Sequence, residues 1–159
     1  GLCWEFFNFW AFGGNLENQW NYMRLPQVVP MLGDAGAHVG IFTDTDSPTI
    51  LLSELTRKHG VYTLPEAVHR ISGKSAEILG LKERGMLKEG WHADINVIDY
   101  ENLRSCQPEY VNDLPHNGGR YIVKSKGYDA TIVGGKVVIE NCEYTDARPG
   151  SVIREFIRG

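Results

Sequence analysis

The chain has 159 residues, and its 16 Lys and Arg against 20 Asp and Glu give a formal net charge of −4 at pH 7. This length suffices for one domain with a real core, and the hydrophobic and charged fractions of 42% and 23% are those of a globular protein. The interspersed, net acidic charge argues against a nucleic-acid-binding surface, and no apolar run approaches the ~20 residues of a membrane-spanning helix.

The chain begins with Gly1 and continues into an aromatic stretch rather than the polar, frayed start that is common at free termini. The aromatic residues here are Trp4, Phe6, Phe7, Phe9, Trp10, Phe12, Trp20 and Tyr22. We therefore expect a buried strand near residues 4–9 and a chain that starts inside a larger protein.

The three cysteines, Cys3, Cys106 and Cys142, are odd in number, lie far apart and form no CxxC pair. This pattern is not that of a disulfide framework and favours a reducing compartment. No charged and apolar leader is visible at the N-terminus. We therefore expect a cytoplasmic protein.

Helical spacing of apolar residues predicts helices in the first half of the chain. One covers residues 16–24 and is ended by Pro26. A second begins with Ser47 as its N-cap and Pro48 as its first residue, and ends at Gly60.

A third predicted helix begins with a capping box formed by Thr63 and Glu66 and is interrupted at Ser72-Gly73. A short helix over 74–79 follows and ends at Gly80.

The pattern changes to a period of two after residue 84. Alternation predicts strands at 92–99 and 121–124, and Gly134-Gly135 predicts a tight hairpin between 129–133 and 136–140. Residues 100–118 are predicted to be mainly loop. The sequence therefore predicts a small antiparallel β unit, with a boundary near residue 84 that separates residues 1–84 from 85–159.

One stretch between the first two helices has the features of a catalytic loop. An apolar run over 28–32 predicts a buried strand, and Gly33-Asp34-Ala35-Gly36-Ala37-His38 follows it. A carboxylate at the C-terminal end of a buried parallel strand is where α/β barrels place catalytic groups. We hypothesise that Asp34 does chemistry and that His38 lies near it. The alternative is an ordinary loop in which Asp34 forms a turn or caps a helix.

The order of several motifs resembles the N-acyl-D-amino-acid deacylases (D-aminoacylases) of the amidohydrolase superfamily. Around Asp34 the similar residues are 33–40, 44 and 48–49. Further similar segments are 64–68, 76–81, 84–99, 113–115, 134–138 and 149–150. The segment 84–99 by itself is typical of the whole superfamily, whereas the combined order is far more specific than any one of its pieces.

The resemblance implies a fold and a reaction. The fold would be α/β: the C-terminal part of a metal-dependent (β/α)8 TIM barrel in residues 1–84, followed by the C-terminal share of a small β-sandwich domain in 85–159. The enzyme would be a hydrolase of carbon–nitrogen bonds other than peptide bonds, with N-acyl-D-amino acids as small-molecule substrates. One or two Zn²⁺ would activate the attacking water.

In this resemblance Asp34 is the general base and a candidate metal ligand, and His38 is a candidate substrate-binding residue. The remaining metal ligands have no counterpart, because the five histidines at 38, 59, 69, 92 and 116 form no His-x-His and no helical pair. We expect the chain by itself to be inactive.

Two alternatives stay open. The first is a dihydroorotase, a hydantoinase or another cyclic-amide hydrolase of the same superfamily. The second is a non-catalytic binding module whose aromatic N-terminus docks a partner.

Overall fold

The computed structural model of the protein describes residues 15–30, 36–41, 43, 45–154 and 156. The predicted strand at 4–9 and Asp34 lie outside the described residues. The first described helix, α1 (Leu16–Met23), confirms the prediction. It begins where the side chain of Asn15 accepts a hydrogen bond from the backbone N–H of Asn18 at 3.2 Å, because that donor has no partner inside the helix.

The second helical region begins with α2 (Ser47–Ile50) and continues directly as a π-helix, Leu51–Lys58. The predicted helix is confirmed, but its predicted N-cap is wrong. Asp46 occupies the cap position, and Ser47 is the first helical residue. The Asp46 carboxylate does not bond the helix end, because it accepts a hydrogen bond from Ser105 Oγ instead.

The next two helices are α3 (Leu64–Ile71) and α4 (Gly73–Leu79), with the predicted interruption between them. Thr63 Oγ1 accepts a hydrogen bond from the backbone N–H of Glu66 at 3.4 Å, which is one half of the predicted capping box. Gly80 adopts a left-handed conformation with φ 66° and ends α4, as predicted.

The second half of the described chain is built from short strands. They are β1 (Ile95–Ile98), β2 (Arg104–Ser105), β3 (Glu109–Leu114), β4 (Gly118–Ile122), β5 (Ser125–Lys126), β6 (Tyr128–Val133), β7 (Lys136–Glu140) and β8 (Glu143–Tyr144). β1, β6, β7 and β8 form one sheet in that order, while β2 pairs with β5 and β3 pairs with β4. All these pairs are antiparallel, which confirms the predicted β unit and its β6–β7 hairpin.

The predicted loop over 100–118 is wrong in part, because it contains β2 and β3. β3 is mostly exposed and lacks the apolar alternation that reveals a half-buried strand. Its register comes from β4, where Tyr110 is paired with Tyr121 and their rings meet edge to face at 5.0 Å.

The helices and the β unit share one core. Its buried members are Leu51, Leu52, Val61, Tyr62, Ala67 and Leu103. Trp20 and Met23 from α1 pack on this core together with Ile98, Tyr100 and Tyr128 from the β unit. The predicted mixture of helices and an antiparallel β unit is confirmed, while the barrel and the boundary near residue 84 stay predictions. None of the helices in the described ranges is both long and apolar enough to cross a membrane.

Candidate active site

The described part of the candidate loop is a tight turn that is tied to the β unit. Gly36 has φ 92° and His38 has φ 50°, so the backbone turns sharply after the Asp34 segment. The carbonyl of His38 accepts a hydrogen bond from Ile41 N at 2.8 Å. The carbonyl of Val39 accepts one from Tyr121 N at 2.7 Å, which fixes the loop against β4. The His38 side chain is exposed on this turn.

The chain that enters the Asp34 segment is held by Arg70, which is only 8% exposed. Its Nη1 lies 3.2, 3.1 and 2.7 Å from the carbonyl oxygens of Met23, Leu25 and Val28. Its Nη2 lies 3.1 Å from the carbonyl oxygen of Arg24. We call this guanidinium and the four carbonyls of residues 23, 24, 25 and 28 the Arg70 cluster.

Glu66 and Tyr62 complete the surroundings of Arg70. Glu66 Oε1 accepts from Arg70 Nε at 3.3 Å and from Nη2 at 3.1 Å, one helical turn away on α3. The guanidinium lies 4.9 Å from the centre of the Tyr62 ring, in cation–π geometry. Tyr62 also donates its hydroxyl to the Met23 carbonyl at 2.7 Å. Burial raises the pKa of Tyr62, and the nearby Arg70 charge opposes that rise. Tyr62 is therefore a neutral donor at neutral pH.

The chain that leaves the loop is joined to the β unit by polar side chains. Ser105 Oγ donates to Asp46 Oδ2. Thr49, which is 3% exposed, places its Oγ1 2.9 Å from Ser125 Oγ and 3.0 Å from Tyr128 OH. These contacts join the start of the second helical region to strands that lie 59 to 79 residues later in the sequence.

Two carboxylates of the β unit have shifted pKa values. Hydrogen bonds from Arg120 to Asp113 lower the pKa of the Asp113 carboxyl. The side chain and backbone N–H of Asn102 lower the pKa of Asp99 in the same way. These shifts arise from local turns and strand pairs.

The histidines of the described residues do not form a metal site. His59 and His69 are exposed, as the sequence predicts, and the ring of His59 lies 5.0 Å from that of Trp20. His92 precedes β1, and His116 lies in the turn between β3 and β4. Among residues 15–30, 36–41, 43, 45–154 and 156, no group of three His, Cys, Asp or Glu side chains could hold a metal ion. A zinc centre needs about three protein ligands, so the described part does not supply one.

Sequence reasoning placed Asp34 and His38 at the site but missed the Arg70 cluster. Arg70 follows Ala67 by three residues, so helical spacing places it on the same face of α3 as a fully buried residue. A charged residue on a buried helical face needs partners, and this was the available signal.

The chain belongs to the amidohydrolase family, whose model matches residues 21–139. This match includes the end of α1, the Asp34 loop, the later helices and the strands from β1 to β6 with most of β7. The family resemblance expected from the sequence is therefore confirmed at this level.

Individual relatives differ in what they act on. The chain is 31% identical over 105 residues to the N-acyl-D-aspartate deacylase of Alcaligenes xylosoxydans xylosoxydans, which covers 66% of this chain and 19% of the relative. It is 30% identical over 105 residues to the dihydroorotase of Lactobacillus acidophilus, which covers 66% of this chain and 22% of the relative. The chain thus spans about a fifth of the length of these curated relatives.

The fold of this chain is similar to solved structures of D-aminoacylase. One is a D-aminoacylase mutant in complex with CuCl2, which matches at 25% identity with a TM-score of 0.54 and covers 68% of this chain and 21% of that one. Another concerns the binuclear metal center in D-aminoacylase, with 25% identity, a TM-score of 0.50 and coverage of 63% and 19%.

Proposed function

We propose that this chain is the C-terminal part of a longer amidohydrolase that cleaves the amide bond of N-acyl-D-amino acids. The family match carries the proposal, because it spans 21–139 and so includes Asp34 and the turn after it. The deacylase relative and the D-aminoacylase neighbours support the substrate class. In this proposal residues 1–84 belong to a (β/α)8 barrel and residues 85–159 to a small β domain of a cytoplasmic enzyme.

In the proposed reaction Asp34 is the general base. Its carboxylate takes a proton from the water that attacks the amide carbonyl and passes it to the leaving amine. This role requires a fixed carboxylate, and the described contacts on both sides of the segment support it. The Arg70 cluster holds Val28, and Tyr121 holds Val39. His38, which is exposed on the turn after Asp34, is proposed to contact the substrate.

We also propose a metal cofactor, one or two Zn²⁺, because the matched D-aminoacylase structures concern a copper complex and a binuclear metal center. Asp34 is one candidate ligand. The other ligands would come from outside the described residues, since these contain no metal-binding group of three. The chain alone is therefore expected to be inactive.

A second candidate function is hydrolysis of a cyclic amide such as dihydroorotate. It is favoured by the dihydroorotase of Lactobacillus acidophilus, whose identity and coverage nearly equal those of the deacylase relative. The Gly33-Asp34-Ala35-Gly36-Ala37-His38 string, which resembles the deacylases, favours the first candidate.

The test compares the intact protein with its Asp34→Asn variant on N-acetyl-D-methionine, N-acetyl-L-methionine and dihydroorotate. We expect D-selective release of amine, and a kcat that falls at least ~10²-fold in the variant, as for loss of a general base. Asp129→Asn is the matched control, because Asp129 is exposed on β6 and outside the proposed site.

Each other outcome has a distinct meaning. Turnover of dihydroorotate alone would replace the first candidate with the second. An Asp34→Asn variant with normal kcat would refute the general base. No turnover of any of these substrates would favour the non-catalytic binding module.

A further inference from the structure

The β3–β4 hairpin lies next to the loop that carries His38. The backbone N–H of Tyr121 on β4 donates to the Val39 carbonyl at 2.7 Å. This N–H points away from β3, because its acceptor lies in the loop and not in the paired strand. The loop therefore meets the edge of β4 that β3 leaves open, and His38 is the direct neighbour of the bonded Val39.

The same geometry brings the side chains of Tyr110 and Tyr121 together. The two residues are cross-strand partners, and Tyr121 does not donate across the pair. Such a non-hydrogen-bonded pair is the kind in which side chains approach most closely, and the two rings meet edge to face at 5.0 Å. The Tyr110 ring also lies over Gly119, where an added Cβ would be 2.2 Å from the Tyr110 hydroxyl oxygen. The absence of a side chain at Gly119 therefore leaves the place that this ring occupies.

Tyr110 is held between these two neighbours although it is 56% exposed. The loop beside the hairpin also borders open space, since a Cβ on Gly36 or Gly40 would meet no described atom within 4 Å. A tyrosine ring offers a large contact surface and loses little conformational entropy when a ligand packs on it, because only two χ angles have to be fixed. The ring is therefore suited to take up an apolar group of a small molecule that is bound at the loop.

The charges of the hairpin favour an apolar group over an anionic one. Residues 109–124 contain two cationic side chains, Arg120 and Lys124. Arg120 donates to Asp113 through Nε and Nη2, both at 2.7 Å, and Lys124 Nζ lies 3.7 Å from a carboxylate oxygen of Glu109. Each cation of the hairpin thus already faces a carboxylate. A substrate carboxylate that packed on the ring would lose water without gaining a cation of its own, which is unfavourable.

We propose that Tyr110 is a specificity-determining residue, whose ring packs against an apolar side chain of the N-acyl-D-amino acid. This inference rests on the proposed function and on the proposed contact of His38 with the substrate. It names the substrate class within that function: D-amino acids with apolar side chains such as methionine, in preference to acidic ones such as aspartate.

The test measures kcat/KM of the intact protein for N-acetyl-D-methionine and for N-acetyl-D-aspartate, and its readout is the ratio of the two values. The amount of folded enzyme cancels in this ratio, so a variant that folds poorly still gives an answer. We expect the native protein to prefer the methionine substrate by about 10-fold or more. Tyr110→Ala should lower the ratio about 10-fold, through a higher KM for that substrate. Tyr110→Phe keeps the ring and should hold the ratio within about threefold of the native one.

Gly119→Ala moves the ring without changing it, because the new Cβ would collide with the Tyr110 hydroxyl end. We expect it to lower the ratio in the same direction as Tyr110→Ala. If Tyr110→Ala has no activity on either substrate, the ratio in Gly119→Ala decides. Tyr144→Ala is the matched control, because Tyr144 is 81% exposed on β8, which belongs to another sheet. Its ratio should stay within about twofold of the native one.

Two results would overturn the inference while leaving the proposed function in place. One is a native protein that releases amine from N-acetyl-D-aspartate as efficiently as from N-acetyl-D-methionine. The other is an unchanged ratio in the Tyr110→Ala variant, which would make the aromatic pair a purely structural contact of the hairpin. A native protein that releases amine from neither substrate would instead overturn the proposed function and this inference together.

Discussion

Replacing Thr49 with Val tests how firmly the second helical region is joined to the β unit. Thr49 is 3% exposed, and its hydroxyl contacts both Ser125 Oγ and Tyr128 OH. Valine is nearly isosteric with threonine, so the substitution removes the hydroxyl without opening a cavity. The measured effect therefore reports the two hydrogen bonds.

The expected loss of stability follows from the number of hydrogen bonds that the substitution removes. A net contribution of about 1 kcal/mol for each hydrogen bond gives a loss of about 2 kcal/mol in the free energy of unfolding. Ser125 and Tyr128 are only half-buried, so each can recruit water, which keeps the loss from rising much further.

The assay is chemical and thermal unfolding of the intact protein and its variants. Thr131→Val is the control, because Thr131 makes a single exposed hydrogen bond to Asn96 Oδ1 at 2.9 Å, and we expect a change within ~0.5 kcal/mol. In a double-mutant cycle with Tyr128→Phe, we expect a coupling of about 1 kcal/mol. A Thr49→Val variant as stable as the native protein would refute this account of the joint.

Two further predictions concern the β unit. Gly127→Ala should lower the free energy of unfolding of the β unit by about 3 kcal/mol or more, because φ is 91° there and a Cβ would lie 2.6 Å from Leu103 Cα. Gly150→Ala is the control in the same unfolding assay and should cost little, because a Cβ there meets no atom within 4 Å. Arg120→Gln should raise the pKa of Asp113 back toward its ordinary value in an NMR titration and leave that of Asp99 unchanged, since Asn102 sets the latter. Because the folded-state pKa of Asp113 is lowered, its pair with Arg120 stabilises the fold above the ordinary pKa, and this contribution is lost as pH falls through the lowered value. An unmoved Asp113 titration would mean that Arg120 is not the cause.

The elements that the sequence predicted correctly carry their signals locally. Helix α1 ends close to Pro26, α3 begins after Thr63, and α4 ends at Gly80. The β6–β7 hairpin turns at Gly134-Gly135, where φ is 54° and 77°. Each signal depends on residues within one turn of the chain, so it can be interpreted without knowing the rest of the fold.

The elements that the sequence missed depend on distant partners. Strand β3 exists because β4 pairs with it. The N-cap of α2 is Asp46 rather than the predicted Ser47, and the Asp46 carboxylate accepts a hydrogen bond from the distant Ser105. Arg70 is separated by more than 40 residues from the carbonyls that it binds. The pattern showed Asp34 and His38 as candidates but not the contacts of Arg70 with residues 23–28 or of Tyr121 with Val39.

Arg57 and Arg70 show why this fold uses arginine where a helical region lies against the backbone carbonyls of a connecting segment. Each extends from a helical region to carbonyls of an irregular segment, at 100–103 and 23–28 respectively. Within 23–28 only the Leu25 carbonyl among those bound by Arg70 also accepts from the segment itself, from Val28 N, and apolar packing alone supplies no donors. A guanidinium satisfies several carbonyls from one rotamer and stacks on a neighbouring tyrosine, Tyr100 or Tyr62. Lysine at either position would keep the charge but not the planar fork of five donors, so the cost of Arg→Lys measures geometry rather than electrostatics.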